Sequence, residues 1–354
     1  MSAPITLADV EQLAADRLDP SWYGYFAGGS GAERTLHDNV AAFRRLRLRQ
    51  RVLAGIESVT TETTLLGHRL TVPLVVAPVA YQRVVHPDGE EGMARAAAAV
   101  GVGMCLSTFA SADPAAVSAA APEATRFLQV YVFRDHGVTD ELIAQALDVG
   151  FTAVLLTVDL PALGMRDRER RVRWTFPEDD LPAVRYARSR GAVGDGLDYW
   201  LDPALDWAYL ERLCSSLPVP VVVKGVLDPE DARLAADHGA AGVVVSNHGG
   251  RQLDGVPATI DALPAIVDAV GDRLEILLDS GIRRGADIAV ALALGARGVL
   301  AGRQPVWGLA AGGEEGARTV LELLREELEI ALHLTGCRSV DEVGASVLAT
   351  IGSP

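Results

Sequence analysis

The segment Val219–Gly250, VPVVVKGVLDPEDARLAADHGAAGVVVSNHGG, decides the fold. It opens on an unbroken apolar, β-branched run, Val219–Gly225, that closes with Lys224-Gly225. A helical pattern follows over Pro229–His238, and a second apolar run, Gly242–Asn247, leads into His248-Gly249-Gly250. Continuous runs of this kind, rather than alternating ones, mark strands covered on both faces, as in a parallel sheet. Strand, helix and strand in that order form a βαβ unit.

The same unit recurs on both sides. Apolar runs stand at Leu74–Pro78, Gly103–Ser107, Phe127–Val132 and Ala153–Asp159, then at the two already quoted, then at Glu275–Gly281 and Gly298–Arg303. Helical patterns such as Ala286–Leu294 lie between them. Eight strand–helix repeats predict an α/β fold of the closed (β/α)8 barrel type. An open doubly wound sheet is the alternative, but no Gly-x-Gly-x-x-Gly follows an early strand. The whole chain, 1–354, reads as one domain. Residues 1–73 are expected to form a helical extension capping the barrel bottom or side, 74–305 to hold the barrel strands, and 306–354 to form C-terminal helices, with an amphipathic one over 314–335. Residues 160–205, rich in Arg, Asp and Pro, are too long for an ordinary connection and read as an active-site lid or a partly disordered loop.

Composition narrows the class. With 354 residues, 49% hydrophobic and 22% charged, the chain supports a large core and is too apolar for disorder. A net charge of −15 repels phosphate backbones and anionic membranes, which argues against nucleic-acid and membrane partners. An anionic small molecule would need local arginines to overcome that field. Cys105, Cys214 and Cys337 have no CxxC spacing and fit a reducing, cytoplasmic setting. The N-terminus is acidic without an apolar run, unlike a signal peptide, and no segment reaches the ~18 apolar residues of a membrane helix.

Barrel sites lie at the C-terminal strand ends. Nearly every predicted strand delivers a polar group there: Ser107, Gln129 with Tyr131, Thr157 with Asp159, Lys224, Ser246 with His248 and Arg251, Asp279 with Arg283, and Arg303. Taken singly, Lys224 reads as a solvated strand end, His248 as a structural histidine, Asp159 as a cap and the arginines as surface charges. Together they read otherwise. Arg166 and Arg251 suit a bidentate carboxylate clamp, and Asp159 suits orientation of a histidine base. The glycine turns at Gly281 and Gly302, after strands seven and eight, occupy the usual phosphate position of barrel enzymes. No Walker loop or metal-ligand spacing is present, so no metal is expected.

The motifs YFAGGS (from Tyr25), APVAYQRVVHPDGE (from Ala77), LSTFAS, QVYV, TVDLPALGMRDR, VVKG, VSNHGGRQLDG, LDSGIRRG and AGR occur in this order. In that order the chain resembles the FMN-dependent 2-hydroxy acid oxidising family, which includes glycolate oxidase, lactate oxidase and mandelate dehydrogenase. The resemblance implies FMN as cofactor, a small 2-hydroxy acid and oxygen as partners, and a homotetramer or homo-octamer. It implies flavin contacts from Val79, Ala80, Ser107, Gln129, Thr157, Lys224 and Ser246. Asp279, Gly281, Arg283, Gly302 and Arg303 would hold the ribityl phosphate. Tyr25, Tyr131, Arg166 and Arg251 would bind the (S)-acid. His248 would be the base, paired with Asp159, and Tyr131 would assist.

Departures from the family pattern bear on the substrate. Phe109 stands where many relatives have Trp, Tyr81 where glycolate-type members have Met, and Pro161-Ala162-Leu163-Gly164-Met165-Arg166 where Pro-Arg-Leu-Gly-Arg-Arg is common. APVAYQR followed by HPDGE is similar to 4-hydroxymandelate oxidases. These features point to an aryl acid, mandelate or 4-hydroxymandelate, with Tyr81 and Phe109 in the substrate pocket. Ala80, rather than Gly, favours oxygen as acceptor and hydrogen peroxide as product. Residues 160–205 lack the apolar insertion of the membrane-bound dehydrogenases. The alternatives are an aliphatic acid such as lactate or glycolate, a non-redox barrel using Lys224 as a Schiff-base amine, and a catalytically silent flavin-binding protein.

Overall fold

Eight parallel strands close into a barrel: β1 Leu74–Val76, β2 Gly103–Leu106, β3 Arg126–Val130, β4 Val154–Thr157, β5 Val221–Val226, β6 Gly242–Val245, β7 Glu275–Leu278 and β8 Gly298–Ala301. All eight predicted runs are strands, and β8 pairs with β1 to complete the ring. The computed structural model describes residues 6–172, 174, 181–191 and 200–349.

Side chains alternate across each strand. One set faces the helices and joins the main core: Val76, Leu106, Leu128, Leu156, Val223, Val245, Leu278 and Val299. The other set, Val75, Cys105, Phe127, Leu155, Val222, Val244, Leu277 and Leu300, forms a separate apolar cluster inside the barrel. Burying each such Val or Leu contributes about 1.5–3 kcal/mol. Advancing two residues along every strand, still on the inner face, gives Ala77, Ser107, Gln129, Thr157, Lys224, Ser246, Asp279 and Gly302. The register confirms the layering: Leu155 pairs with Val222, and Thr157 with Lys224. An apolar floor therefore supports a polar layer, a barrel arrangement in which the floor is core rather than pore.

The helix between β5 and β6, Pro229–Asp237, shows why the sequence folds this way. Pro229 sits in its first turn, Asp228 accepts from the Glu230 N–H at 2.8 Å, and Ala232 and Ala235 are its buried face. Gly239, at φ +87°, turns the chain toward the next strand.

The N-terminal extension has helices at Leu7–Arg17, Pro20–Ala27 and Arg34–Arg45, and it is not wholly helical. An antiparallel hairpin, Thr63–Leu65 with His68–Leu70, sends Leu65, Leu66 and Leu70 into the inner apolar cluster. The Leu66 N–H also bonds the Glu275 carboxylate at the start of β7. The hairpin, not the helices, plugs the barrel bottom, whereas helix Pro20–Ala27 lies at the mouth, where Tyr25 and Phe26 line the cavity. The C-terminal helix spans Arg303–Thr335, broken at Gly312–Gly313, so the predicted segment 314–335 is its second limb. The 160–205 segment contains short helices at Asp167–Arg171 and Pro182–Ser189. The expectation of partial disorder there falls mainly on 173, 175–180 and 192–199, which lie outside the described residues. Among the described residues no helix is long and apolar enough to cross a membrane.

Candidate active site

The C-terminal mouth holds a cavity lined from every strand end. It brings together Tyr25, Val79, Ala80, Ser107, Phe109, Gln129, Tyr131, Thr157, Arg166, Lys224, His248, Arg251, Asp279, Gly281, Arg283, Gly302 and Arg303, all named from sequence. Three named residues stand behind the lining. Asp159 reaches the site through His248. Ser246 is fully buried and its hydroxyl accepts from Lys224 Nζ at 3.0 Å and the His248 N–H at 3.1 Å. Tyr81 is also fully buried and does not enter the substrate pocket: its ring packs behind Tyr25 and Trp174, with centroids 5.8 and 6.1 Å away. Ala162 and Met165, lid departures that pointed to an aryl acid, are exposed and outside the lining, whereas Leu160 and Leu163 line the cavity.

Arg283 and Arg303 line the cavity. Arg303 donates to the carbonyls of Phe26, Gly28 and Gly249 at 2.9–3.2 Å. Neither arginine pairs with a carboxylate among the described residues. Burial lowers both guanidinium pKa values, Arg303 markedly, with Arg283 and Arg251 adding repulsion at Arg303. Two desolvated cations beside the Gly281 and Gly302 turns suit an anion.

Lys224 Nζ pairs with Asp279 at 2.9 Å. Burial alone would depress the ammonium pKa, but Asp279 and Asp159 outweigh it and hold the group above its usual range. Lys224 therefore stays protonated. Gln129 Oε1 accepts from Ser107 Oγ and the Thr108 N–H. Its Nε2 and the Thr157 hydroxyl are buried without a hydrogen-bond partner among the described residues. Buried polar atoms left open at a cavity wall point to a polar ligand.

The chain from Ser246 to Gly250 turns sharply, with His248, Gly249 and Gly250 all at positive φ. At Gly250 a Cβ would meet the Leu36 backbone at 2.6 Å, so glycine is required there. The turn points His248 at the cavity. Its Nδ1 lies 2.9 Å from Asp159 Oδ1, and its Nε2 lies 3.3 Å from the Tyr131 hydroxyl. Gly225, at φ +112°, admits Asp159: a Cβ there would fall 2.6 Å from the Asp159 Cβ. Burial lowers the His248 pKa, and Asp159 only partly offsets this. For Asp159, burial opposes ionisation, yet His248 and Lys224 hold its pKa below the usual value. A neutral imidazole beside an ionised carboxylate carries its proton on Nδ1, leaving Nε2 as a base.

Arg251 Nη1 donates to the carbonyls of Tyr25 and Gly28, its Nη2 lies 3.0 Å from Glu169, and its guanidinium covers the Tyr25 ring at 4.8 Å. Arg166 Nη1 lies 3.6 Å from the same Glu169 oxygen. Beyond these groups the wall is apolar: Phe109, Leu160, Leu163 and Trp174, whose ring stacks on Tyr25 at 4.5 Å. Sequence reading gave no site role to Glu169, Trp174, Leu160, Leu163, Ser280 or Phe26, which also line the cavity. Ser280 was the recoverable one, lying beside Asp279 at a strand end. The lid residues follow no strand period.

A barrel cavity that joins a histidine–carboxylate pair with two arginine pairs suits redox or acid–base chemistry on a small anion beside a phosphorylated cofactor. Residues 14–350 match the FMN-dependent dehydrogenase model, and the chain belongs to that family. It is 42% identical to an L-lactate oxidase of Nostoc sp., covering 98% of this chain and 99% of the relative. It is 41% identical to human 2-hydroxyacid oxidase 1, covering 97% and 96%. A structure of mandelate oxidase with benzoyl-formic acid superposes with a TM-score of 0.88 at 41% identity over 98% of both chains. Relatives with different substrates are thus equally similar, and overall identity does not select the acid. FMN is the family's cofactor, and the cavity fits it: open donors at Gln129 and Thr157 suit the polar edge of a flavin, and Arg283 and Arg303, which have no carboxylate within ion-pair distance among the described residues, suit its phosphate.

Proposed function

We propose that this chain oxidises aryl (S)-2-hydroxy acids, with mandelate or 4-hydroxymandelate as substrate, within the FMN-dependent 2-hydroxy acid oxidation supported by its relatives. When bound, FMN would supply a two-electron acceptor, with oxygen as the final oxidant and hydrogen peroxide as its product. Gln129, Thr157, Ser107 and Lys224, with the backbone of Val79 and Ala80, would hold the ring, and Arg283 and Arg303 the phosphate. The Lys224 ammonium would stabilise negative charge on the reduced ring.

The observation that carries the reading is the His248–Asp159 pair facing Arg166 and Arg251 across one cavity. The two arginines bind the substrate carboxylate, and Tyr131 and Tyr25 orient its hydroxyl. His248 Nε2 receives a substrate proton as the carbon loses two electrons, and Asp159 stabilises the imidazolium that forms. A neutral amine is required for Schiff-base chemistry, and Lys224 is held protonated by its carboxylate neighbours. That favours the redox reading over the non-redox alternative.

The aryl assignment rests on the wall of Phe109, Leu160, Leu163 and Trp174 beyond the base. An aromatic ring buries far more apolar area there than a methyl group does. An oxygen-electrode comparison of (S)-mandelate, 4-hydroxymandelate, lactate and glycolate tests it. The expected order of kcat/KM places the mandelates first. Lactate or glycolate ahead of both removes the aryl reading and leaves an aliphatic 2-hydroxy acid oxidase.

A further inference from the structure

The cavity holds two neighbouring arginine pairs, Arg283–Arg303 and Arg166–Arg251, which differ in their carboxylate contacts. The Arg283–Arg303 pair has no carboxylate within ion-pair distance among the described residues, with Glu11, Glu33 and Asp287 acting only at longer range, and so suits a phosphate dianion. The Arg166–Arg251 pair would suit the same charge but for Glu169. That carboxylate is buried at 7% exposure, lines the cavity, and touches both guanidinium groups through one oxygen, at 3.0 and 3.6 Å. Two arginines and one carboxylate leave a net charge of one.

We infer that Glu169 sets the charge of the substrate clamp to match a monoanion, and holds Arg251 in the orientation that receives it. The inference rests on the proposal that Arg166 and Arg251 bind the substrate carboxylate. Glu169 is a positioning residue: it acts through the arginines and touches no reacting atom. Its oxygen occupies Arg251 Nη2, while Nη1 is fixed by the Tyr25 and Gly28 carbonyls. The guanidinium plane is thus set before substrate arrives, and a fork fixed in this way loses little freedom on binding. Charge matching also bears on turnover. The product of a 2-hydroxy acid oxidation is a monoanion like its substrate, and an uncompensated pair of buried arginines would retain it. Dicarboxylates and inorganic dianions gain least from a clamp of unit charge, so Glu169 selects monocarboxylic hydroxy acids against them.

The test uses FMN-loaded wild type, Glu169→Gln and Glu169→Asp, titrated with oxalate as dianion, benzoylformate as monoanion and mandelamide as neutral ligand, followed by flavin absorbance. Glu169→Gln keeps the shape and removes the charge. It is expected to bind oxalate at least tenfold more tightly (about 1.4 kcal/mol), benzoylformate more tightly by a smaller factor, and mandelamide as wild type does. With substrate, KM and kcat are expected to fall together as product release slows. Glu169→Asp keeps the charge, and its oxalate-to-mandelamide affinity ratio should stay near that of wild type. Equal weakening of all three ligands by Glu169→Gln, or unchanged oxalate affinity, overturns the inference and leaves the clamp itself intact. Should Glu169→Gln fail to retain FMN, a tenfold change of that ratio in Glu169→Asp overturns it as well. Wild type that binds none of the acids overturns the proposed function, and this inference with it.

Discussion

Replacing Asp159 by Asn isolates the step at which the cavity does chemistry. The Asp159–His248 contact is 2.9 Å long, and both side chains are largely buried. Two losses follow from the substitution. A charge-assisted hydrogen bond worth about 1.5–3 kcal/mol becomes a neutral one. The asparagine NH2 can also donate to Nδ1, which moves the imidazole proton to Nε2 and replaces the cavity-facing lone pair with a donor. General-base assistance contributes roughly 10²–10⁴-fold, so flavin reduction by substrate should slow by about 10³-fold, or ~4 kcal/mol of barrier. The assay is anaerobic stopped-flow reduction of the FMN-loaded protein. FMN content should be unchanged, because Asp159 does not line the cavity. The wild-type pH profile belongs to the same prediction. Burial lowers the His248 pKa, so kcat/KM should fall only as pH drops below the ordinary histidine value of about 6.5. In that window the unfolded chain binds more protons than the folded one, so stability also declines as pH falls through it. Reduction of the Asn variant within an order of magnitude of wild type would refute the assigned base pair.

Three further outcomes follow from other parts of the structure. Gly225→Ala puts a Cβ 2.6 Å from the Asp159 Cβ at φ +112°; it should cost more than about 1 kcal/mol in urea unfolding and slow flavin reduction, although Gly225 touches no reacting group, and no change in either would contradict the packing argument. Arg303→Met removes a buried anion donor and should weaken FMN binding roughly tenfold to hundredfold while sparing riboflavin, which lacks the phosphate; equal loss of both ligands would place the phosphate elsewhere. Phe127→Ala hollows the inner floor beneath Gln129 and should destabilise by about 3–5 kcal/mol with an unchanged denaturant m-value; a cost under ~1 kcal/mol would mean that the floor is not a close-packed layer.

Most of the polar ring was legible in the sequence because a strand has a fixed period. Once Val222 and Leu277 are placed on the inner face, Lys224 and Asp279 must follow two residues later on the same face. The same period places Gln129 above Phe127 and Thr157 above Leu155. The roles of Ser246 and Asp159 as supports, rather than cavity walls, depend on depth along the barrel axis, which the alternation does not give. Tyr81 was placed in the pocket by its neighbours in sequence. Its left-handed backbone, at φ +60°, helps turn it behind Tyr25 instead. Glu169 and Trp174 were missed because they lie in the long connection after β4, where position is set by contact with Arg251 and Tyr25 and not by any repeat. The hairpin that plugs the barrel bottom was also missed. Its strands are three residues each, too short to show alternation.

Anaerobic addition of a 2-hydroxy acid to the purified protein tests the central claim most directly. A yellow protein whose colour is bleached by (S)-mandelate, and restored by oxygen with one hydrogen peroxide per turnover, is the expected result. A yellow protein that no 2-hydroxy acid bleaches, or a colourless one inactivated by borohydride in the presence of substrate, would contradict it.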